Sequence, residues 1–290
     1  MTARPGDLSV TALYTSQVWA WGGLSYAHLF TSSDARRIFG VTNVALAVAR
    51  MFSPKLTPLP HSLLHRHTMI DHLLRAAGCR QVIELAAGFS RRGAAATNNP
   101  HVQYTEIDLP HVIGCKRELL ERTEEGRAVL ARPGLRLVEA DVETVALEDF
   151  VRPGEPVFVI AEGLLMYLVS DARRDLFAKV RRLAATTGDL RFVFDLTPGT
   201  DEPGAVGRML AAAMKRSTGG RGFERSETPE NIVTALHEAG FDDVAAVTAN
   251  EIARTWGLPD PDRQTQVTLF VASCAAGGTA RREATVAGQR

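Results

Sequence analysis

The chain has 290 residues, 45% of them hydrophobic and 23% charged, with Lys+Arg and Asp+Glu both at 33. That balance excludes a nucleic-acid binder held by bulk charge, and the composition is that of a globular chain rather than a disordered one. Cys79, Cys115 and Cys274 form no CxxC pair and leave one unpaired, which argues for reduced thiols in a cytoplasm over a disulfide framework.

The N-terminal MTARPGDLSV lacks the apolar core of a signal peptide, and no uncharged run approaches ~20 residues, so a soluble protein without membrane spans is expected. Residues from about 8 to 76 read as mostly helical, with Tyr14, Trp19, Trp21, Tyr26 and Phe30 crowded into the first third. Residues 1–76 are therefore taken as an N-terminal helical cap, 77–274 as the core and 275–290 as a disordered tail. Strands are predicted at Val82–Ala86, Gln103–Ile107, Leu135–Ala140, Val157–Ala161, Leu190–Asp195, Asp243–Thr248 and Val267–Ala272. Several are near-continuous apolar runs, the pattern of parallel strands covered on both faces. A helix over Asp171–Thr187 closes at Gly188, and Thr228-Pro229-Glu230 starts another that Gly240 stops. Alternating β and α elements predict an α/β, Rossmann-like doubly wound sheet of seven mostly parallel strands, helices on both faces.

In such a sheet, ligands bind outside the carboxyl ends of the strands. After the first strand comes the small-residue turn Ala86-Ala87-Gly88, after the second Asp108, after the third Asp141, and after the fourth Glu162. A small turn lets backbone approach a ligand closely. An acid about twenty residues beyond the glycine suits the two hydroxyls of a ribose, and an acid after the third strand suits an adenine amino group. Taken singly, Asp108 reads equally as a helix cap ahead of Pro110 and Asp141 as a loop cap. Glu162 ends a buried apolar strand, where a carboxylate is costly unless something pairs with it.

TALYTSQVWAW, RHTMID, VIELAAGFSRRG, EIDLP, ADVET, AEGLLMYL and TGGRGFER, in that order, resemble the leucine carboxyl methyltransferase superfamily, within it the bacterial branch similar to the tetracenomycin polyketide O-methyltransferase. The resemblance implies a class I methyltransferase fold and S-adenosylmethionine as cofactor, converted to S-adenosylhomocysteine. It implies that Arg66 pairs with the cofactor's methionine carboxylate, Gly88 passes beneath it, Asp108 binds the ribose, Asp141 and Val142 bracket the adenine, and Glu162 takes the methionine ammonium. Glu84, Ala86, Leu109 and Gly163 are expected beside them. The family favours Gly at the position of Ala86 and Asp at that of Ser90, so the turn departs from the family pattern at two positions.

His61, His65, His67 and His72 cluster in one segment. His61 and His65 have the i, i+4 spacing of a metal-binding face, but no HExxH is present, and a polar helix face or a base toward the acceptor are the other readings. No metal is expected. His65, His67 and Tyr167 are the catalytic candidates, and Asp71 is expected to brace local structure. Residues about 200–227 are expected to form a lid insertion in which Arg216, Arg221 and Arg225 steer an anionic acceptor, with Tyr14, Trp19 and Trp21 stacking on a flat one. The expected function is O-methylation of a small-molecule carboxylate or phenol, such as an aromatic polyketide or other secondary metabolite. A protein C-terminal carboxylate, a catalytically silent cofactor-binding module and a nicotinamide-dependent oxidoreductase are the alternatives, the last lacking a full GxGxxG. A small-molecule partner is expected and no nucleic acid, and homodimers are left open.

Overall fold

A computed structural model describes residues 10–52, 59–196 and 228–275. Three helices come first: α1 (Val10–Trp21), α2 (Ser33–Phe52) and α3 (Leu59–Ala77). The sheet follows, with β1 (Gln81–Leu85), α4 (Arg92–Ala96), β2 (Gln103–Asp108), α5 (Pro110–Glu121), α6 (Glu124–Leu130) and β3 (Leu135–Glu139). Next are β4 (Val157–Ala161), α7 (Ser170–Arg182), α8 (Ala184–Thr187) and β5 (Leu190–Asp195). The described chain closes with α9 (Pro229–Glu238), β6 (Asp243–Thr248), α10 (Ala249–Ile252) and β7 (Thr268–Cys274).

The strands form one seven-stranded sheet in the order β3-β2-β1-β4-β5-β7-β6, in which β7 runs antiparallel to both neighbours and the other pairs are parallel. β4 is buried at every residue, which explains its unbroken VFVIA run. One large apolar cluster joins β4 and β5 to Leu176, Phe177 and Val180 of α7, and to Ile232 and Leu236 of α9. A second, on the opposite face, carries Met69 and Ile70 of α3 against Val82, Phe158 and Val193.

The chain leaves β1 toward β2 on one side and later returns to β4 on the other. The strand order therefore reverses between β1 and β4, and the crevice outside their carboxyl ends is where such sheets bind ligands. The helix expected over Asp171–Thr187 is broken at Leu183, whose N–H bonds Val180 in a tighter turn, and Gly188 (φ 81°) then ends the segment. Thr228 caps α9 as expected, its hydroxyl accepting from Asn231 N–H at 3.3 Å. Residues 200–227, where a lid insertion is expected and which include TGGRGFER, and the tail beyond residue 275 lie outside the described residues.

Candidate functional site

The turn after β1 carries two left-handed residues, Ala86 and Gly88, both at φ 51°. Glycine adopts that conformation freely, while alanine pays for its Cβ. The side chain of Asp108, at the end of β2, holds the turn in place. Its two carboxylate oxygens accept from the N–H groups of Gly88 and Leu109, each at 2.7 Å. Asp108 is thus no cap for α5, whose N-cap position is Leu109. Burial raises its pKa against the pull of those two bonds. Behind the turn, buried Lys116 of α5 donates to Ser90 O at 2.7 Å, pairs with buried Glu106, and lies 5.1 Å from the Phe30 ring.

Glu162, one residue past β4, was expected to await an ammonium from the cofactor; the chain already gives it three partners. Arg66 Nε donates to one oxygen at 3.0 Å, while Arg92 Nη2 and His67 Nδ1 reach the other at 2.8 and 2.9 Å. The His67 hydrogen bond and the Arg66 and Arg92 guanidiniums hold its pKa well below the carboxylate range despite burial. Arg66 also donates through Nη1 to Asp195, which ends β5, at 2.9 Å, and Asp195 accepts the Gly163 N–H with its other oxygen. Gly163 is left-handed (φ 69°), and a Cβ there would stand 3.2 Å from Arg66 Nη2. The turn after β4 is thus shaped to admit that guanidinium.

Arg92 is the hub beneath. It is 2% exposed, donates to Asp71 at 2.7 Å and pairs with Glu84, which in turn accepts from the Tyr104 hydroxyl at 2.7 Å. Glu84 is therefore a buried brace rather than a lining residue of the cleft. Asp71 braces as expected, pairing with both Arg91 and Arg92.

The catalytic reading of His65 and His67 is corrected by helix geometry. At about 100° per residue, the two lie on roughly opposite sides of α3. His65 is 1% exposed with both ring nitrogens engaged, by Thr265 Oγ1 at 3.0 Å and Pro259 O at 2.6 Å, so it fastens α3 to the β6–β7 connection. His67 faces Glu162. A neutral ring with its proton on Nδ1 donates to Glu162 and accepts from Arg91 Nε at 3.2 Å through Nε2. Burial, with Arg92 nearby, pushes its pKa down to about 3, so it stays neutral and has no lone pair left for a substrate proton. His61 and His72 turn elsewhere, to Asp260 at 3.2 Å and to a stack on Trp256 at 4.3 Å. Among the described residues, no group of three or more His, Cys, Asp or Glu side chains is placed to hold a metal.

Two of the aromatic candidates are core. Tyr14 is 5% exposed and donates to Asn43 at 2.9 Å; Trp19 is 3% exposed and stacks on His67 at 4.0 Å. Trp21 is exposed, edge-on to His61 at 5.1 Å. Tyr167 is half-buried in the short turn after Glu162. Asp141 shapes its own loop, accepting from Glu143 N–H at 2.9 Å, and Val142 is half-buried beside it. Arg216, Arg221 and Arg225 lie outside the described residues. Asp195, Arg92 and Lys116 were assigned no role from the sequence; the available signal was Asp195, a carboxylate ending an apolar strand as Glu162 does.

The leucine carboxyl methyltransferase family profile matches residues 25–181, more than half of the chain. The chain belongs to the leucine carboxyl methyltransferase family. It is 32% identical over 162 residues to a provisionally assigned S-adenosylmethionine-dependent methyltransferase of Mycolicibacterium paratuberculosis, covering 50% of this chain and 51% of that one. A second, from Mycobacteroides abscessus, is 36% identical over 110 residues, 38% of this chain and 36% of the relative. The chain thus matches about half the length of the first relative and about a third of the second. Among solved structures, a provisionally assigned methyltransferase from Thermobifida fusca superposes with a TM-score of 0.58 at 17% identity, over 94% of this chain and 97% of that one. A provisionally assigned O-methyltransferase from Nostoc punctiforme gives 0.52 at 15%, over 74% and 57%. These two likenesses carry the fold, a Rossmann-like methyltransferase sheet.

The Mycolicibacterium and Mycobacteroides relatives are described as S-adenosylmethionine-dependent, and the residues present here fit that cofactor. Arg66 and Glu162, 3.0 Å apart at the edge of β4, offer one cation and one anion to an amino acid's carboxylate and ammonium. Asp108, fixed by backbone N–H groups, stands at the end of the neighbouring strand but one. Among the described residues no helix is long and apolar enough to cross a membrane.

Proposed function

We propose that this chain methylates an oxygen of a small molecule, a carboxylate before a phenol, with S-adenosylmethionine as methyl donor. The observation that carries the reading is the Arg66–Glu162 pair at the switch point, in the same crevice as the Gly88–Asp108 turn. Arg66 would hold the donor's carboxylate, Glu162 its ammonium, Asp108 its ribose, and Asp141 with Val142 its adenine; Ala86, Leu109 and Gly163 would lie alongside. Bound there, S-adenosylmethionine supplies an electrophilic methyl on a sulfonium. The chain's own task is to orient the acceptor oxygen and exclude water. A carboxylate, with a pKa of roughly 4, is ionised at neutral pH and needs no base, whereas a phenol near pKa ~10 benefits from one. The engagement of His65 and His67 by other groups supports the carboxylate. A polyketide or other secondary-metabolite acid is the acceptor class the family likeness favours.

The test is a thermal-shift titration with S-adenosylmethionine, S-adenosylhomocysteine and NAD, run on the wild type, Asp108→Ala and Glu162→Ala, followed by mass-spectrometric screening of aromatic acids and phenols as acceptors. A ligand at 100 times its Kd adds about 2.7 kcal/mol to stability. Stabilisation by both adenosyl ligands, reduced in both variants, is expected. No shift at saturating concentration would sink the proposal.

A further inference from the structure

A cavity of about 420 Å³ lies between α3 and α4, with Val82 of β1 in its wall. Four arginines line it, Arg75, Arg80, Arg91 and Arg92, against one acid, Asp71. Arg92 is matched by Glu84 and Glu162 as well as Asp71. Arg91, 6% exposed, shares Asp71 with it; its other hydrogen bonds go to neutral groups, His67 Nε2 at 3.2 Å and Ser25 Oγ at 3.3 Å. Asp71 is the one carboxylate paired with Arg91, and burial beside Arg92 lowers the pKa of Arg91 to about 10, so the surplus charge of the cavity comes from its two outer arginines. Arg75 and Arg80 are exposed, with no ion-pair partner among the described residues. An adjoining cavity of about 560 Å³ shares Gly78, Cys79 and Arg80, and the Arg152 in its lining is matched by Glu155 at 3.9 Å.

A concave site with surplus guanidinium charge suits a planar or tetrahedral oxyanion, whose oxygens match the fork of N–H donors. We propose that the α3–α4 cavity is a second ligand site, binding a phosphate or carboxylate group between Arg75, Arg80 and Arg91. It is distinct from the cofactor crevice, but the two share a wall, because Arg92 lines the cavity and also grips Glu162. The assignment is independent of the proposed methyl transfer.

The test is equilibrium dialysis of the full chain against radiolabelled orthophosphate at constant ionic strength in chloride, with malonate as competitor. Arg75→Ala/Arg80→Ala removes two exposed side chains, and its fold is checked by circular dichroism; Arg75→Gln and Arg80→Gln singly serve should the double variant misfold. Saturable binding is expected, weakened tenfold or more in the double variant and severalfold in each single one, with S-adenosylhomocysteine affinity within twofold of wild type. Competition by malonate would extend the site to carboxylates, and its failure would restrict the site to tetrahedral oxyanions. No saturable uptake of phosphate or malonate, or uptake undiminished in the variants, overturns the proposal.

Discussion

Glu106→Gln tests the wiring behind the Gly88 turn. Glu106 is 1% exposed and faces Lys116, with Glu84 and Arg92 the other charged groups near it. Burial pushes its pKa up to about 7, and Lys116 opposes the rise without cancelling it. Between an unfolded value near 4.3 and that folded value, the native state holds the extra proton. Stability from this group is therefore fully present below the unfolded pKa and is lost as pH rises toward 7. At about 1.36 kcal/mol per unit, and allowing for partial titration near each end, the loss between pH 5 and pH 7 is about 2 kcal/mol. Glutamine keeps the shape and cannot titrate. Urea unfolding of wild type and variant at pH 5, 6 and 7 should show the wild type's relative stability falling by that amount. A difference that stays level across the range would refute the account of Glu106.

Other expectations follow from the same geometry. Ala86→Gly relieves a left-handed alanine that costs about 1–2 kcal/mol, against about 0.4–1 kcal/mol of added unfolded-state entropy, so urea unfolding should show a gain of up to about 1.6 kcal/mol. Gly88→Ala should lose a similar amount through the backbone alone, since the nearest atom to its new Cβ is that of Ala12 at 3.7 Å. Arg66→Met should weaken S-adenosylmethionine and S-adenosylhomocysteine tenfold or more in calorimetry while leaving adenosine, which lacks the amino-acid end, unchanged. With a carboxylate acceptor and His67 at about 3, turnover should be level from pH 6 to 8; a limb with an apparent pKa near 6.5 would contradict the neutral-histidine reading.

The centre of the sheet was legible because β4 and β5 are buried on both faces and so written mostly in apolar residues, as in VFVIA and LRFVFD. Glu162 was legible for the same reason, because it follows an unbroken apolar run, whereas Asp108 ends the polar QYTEID and was legible from its distance to Gly88. What surrounds them was not. The partners of Glu162 lie 96, 95 and 70 residues away in the chain, and spacing along the sequence does not encode them. The histidine segment misled through proximity in sequence. Four histidines within twelve positions of one helix point to four different neighbours, because the helical period separates His65 from His67 while their sequence numbers nearly touch. Trp19 misled differently, since an aromatic among aromatics carries no mark of whether its face meets a ligand or a buried imidazole.

The partners that were invisible in the sequence also set the charge of the site. Arg66, Arg91 and Arg92 meet four carboxylates, Asp71, Glu84, Glu162 and Asp195, while His67 stays neutral. The cluster therefore holds one more negative charge than positive, in a region where burial makes an unmatched charge expensive. S-adenosylmethionine, with an ammonium, a sulfonium and one carboxylate, carries one net positive charge. A nicotinamide dinucleotide, with its pyrophosphate, carries a net negative one. The same ribose acid would serve either cofactor, so beside the missing GxGxxG it is the arginine-to-carboxylate count around Glu162 that separates them. On that count the oxidoreductase reading brings like charge to like.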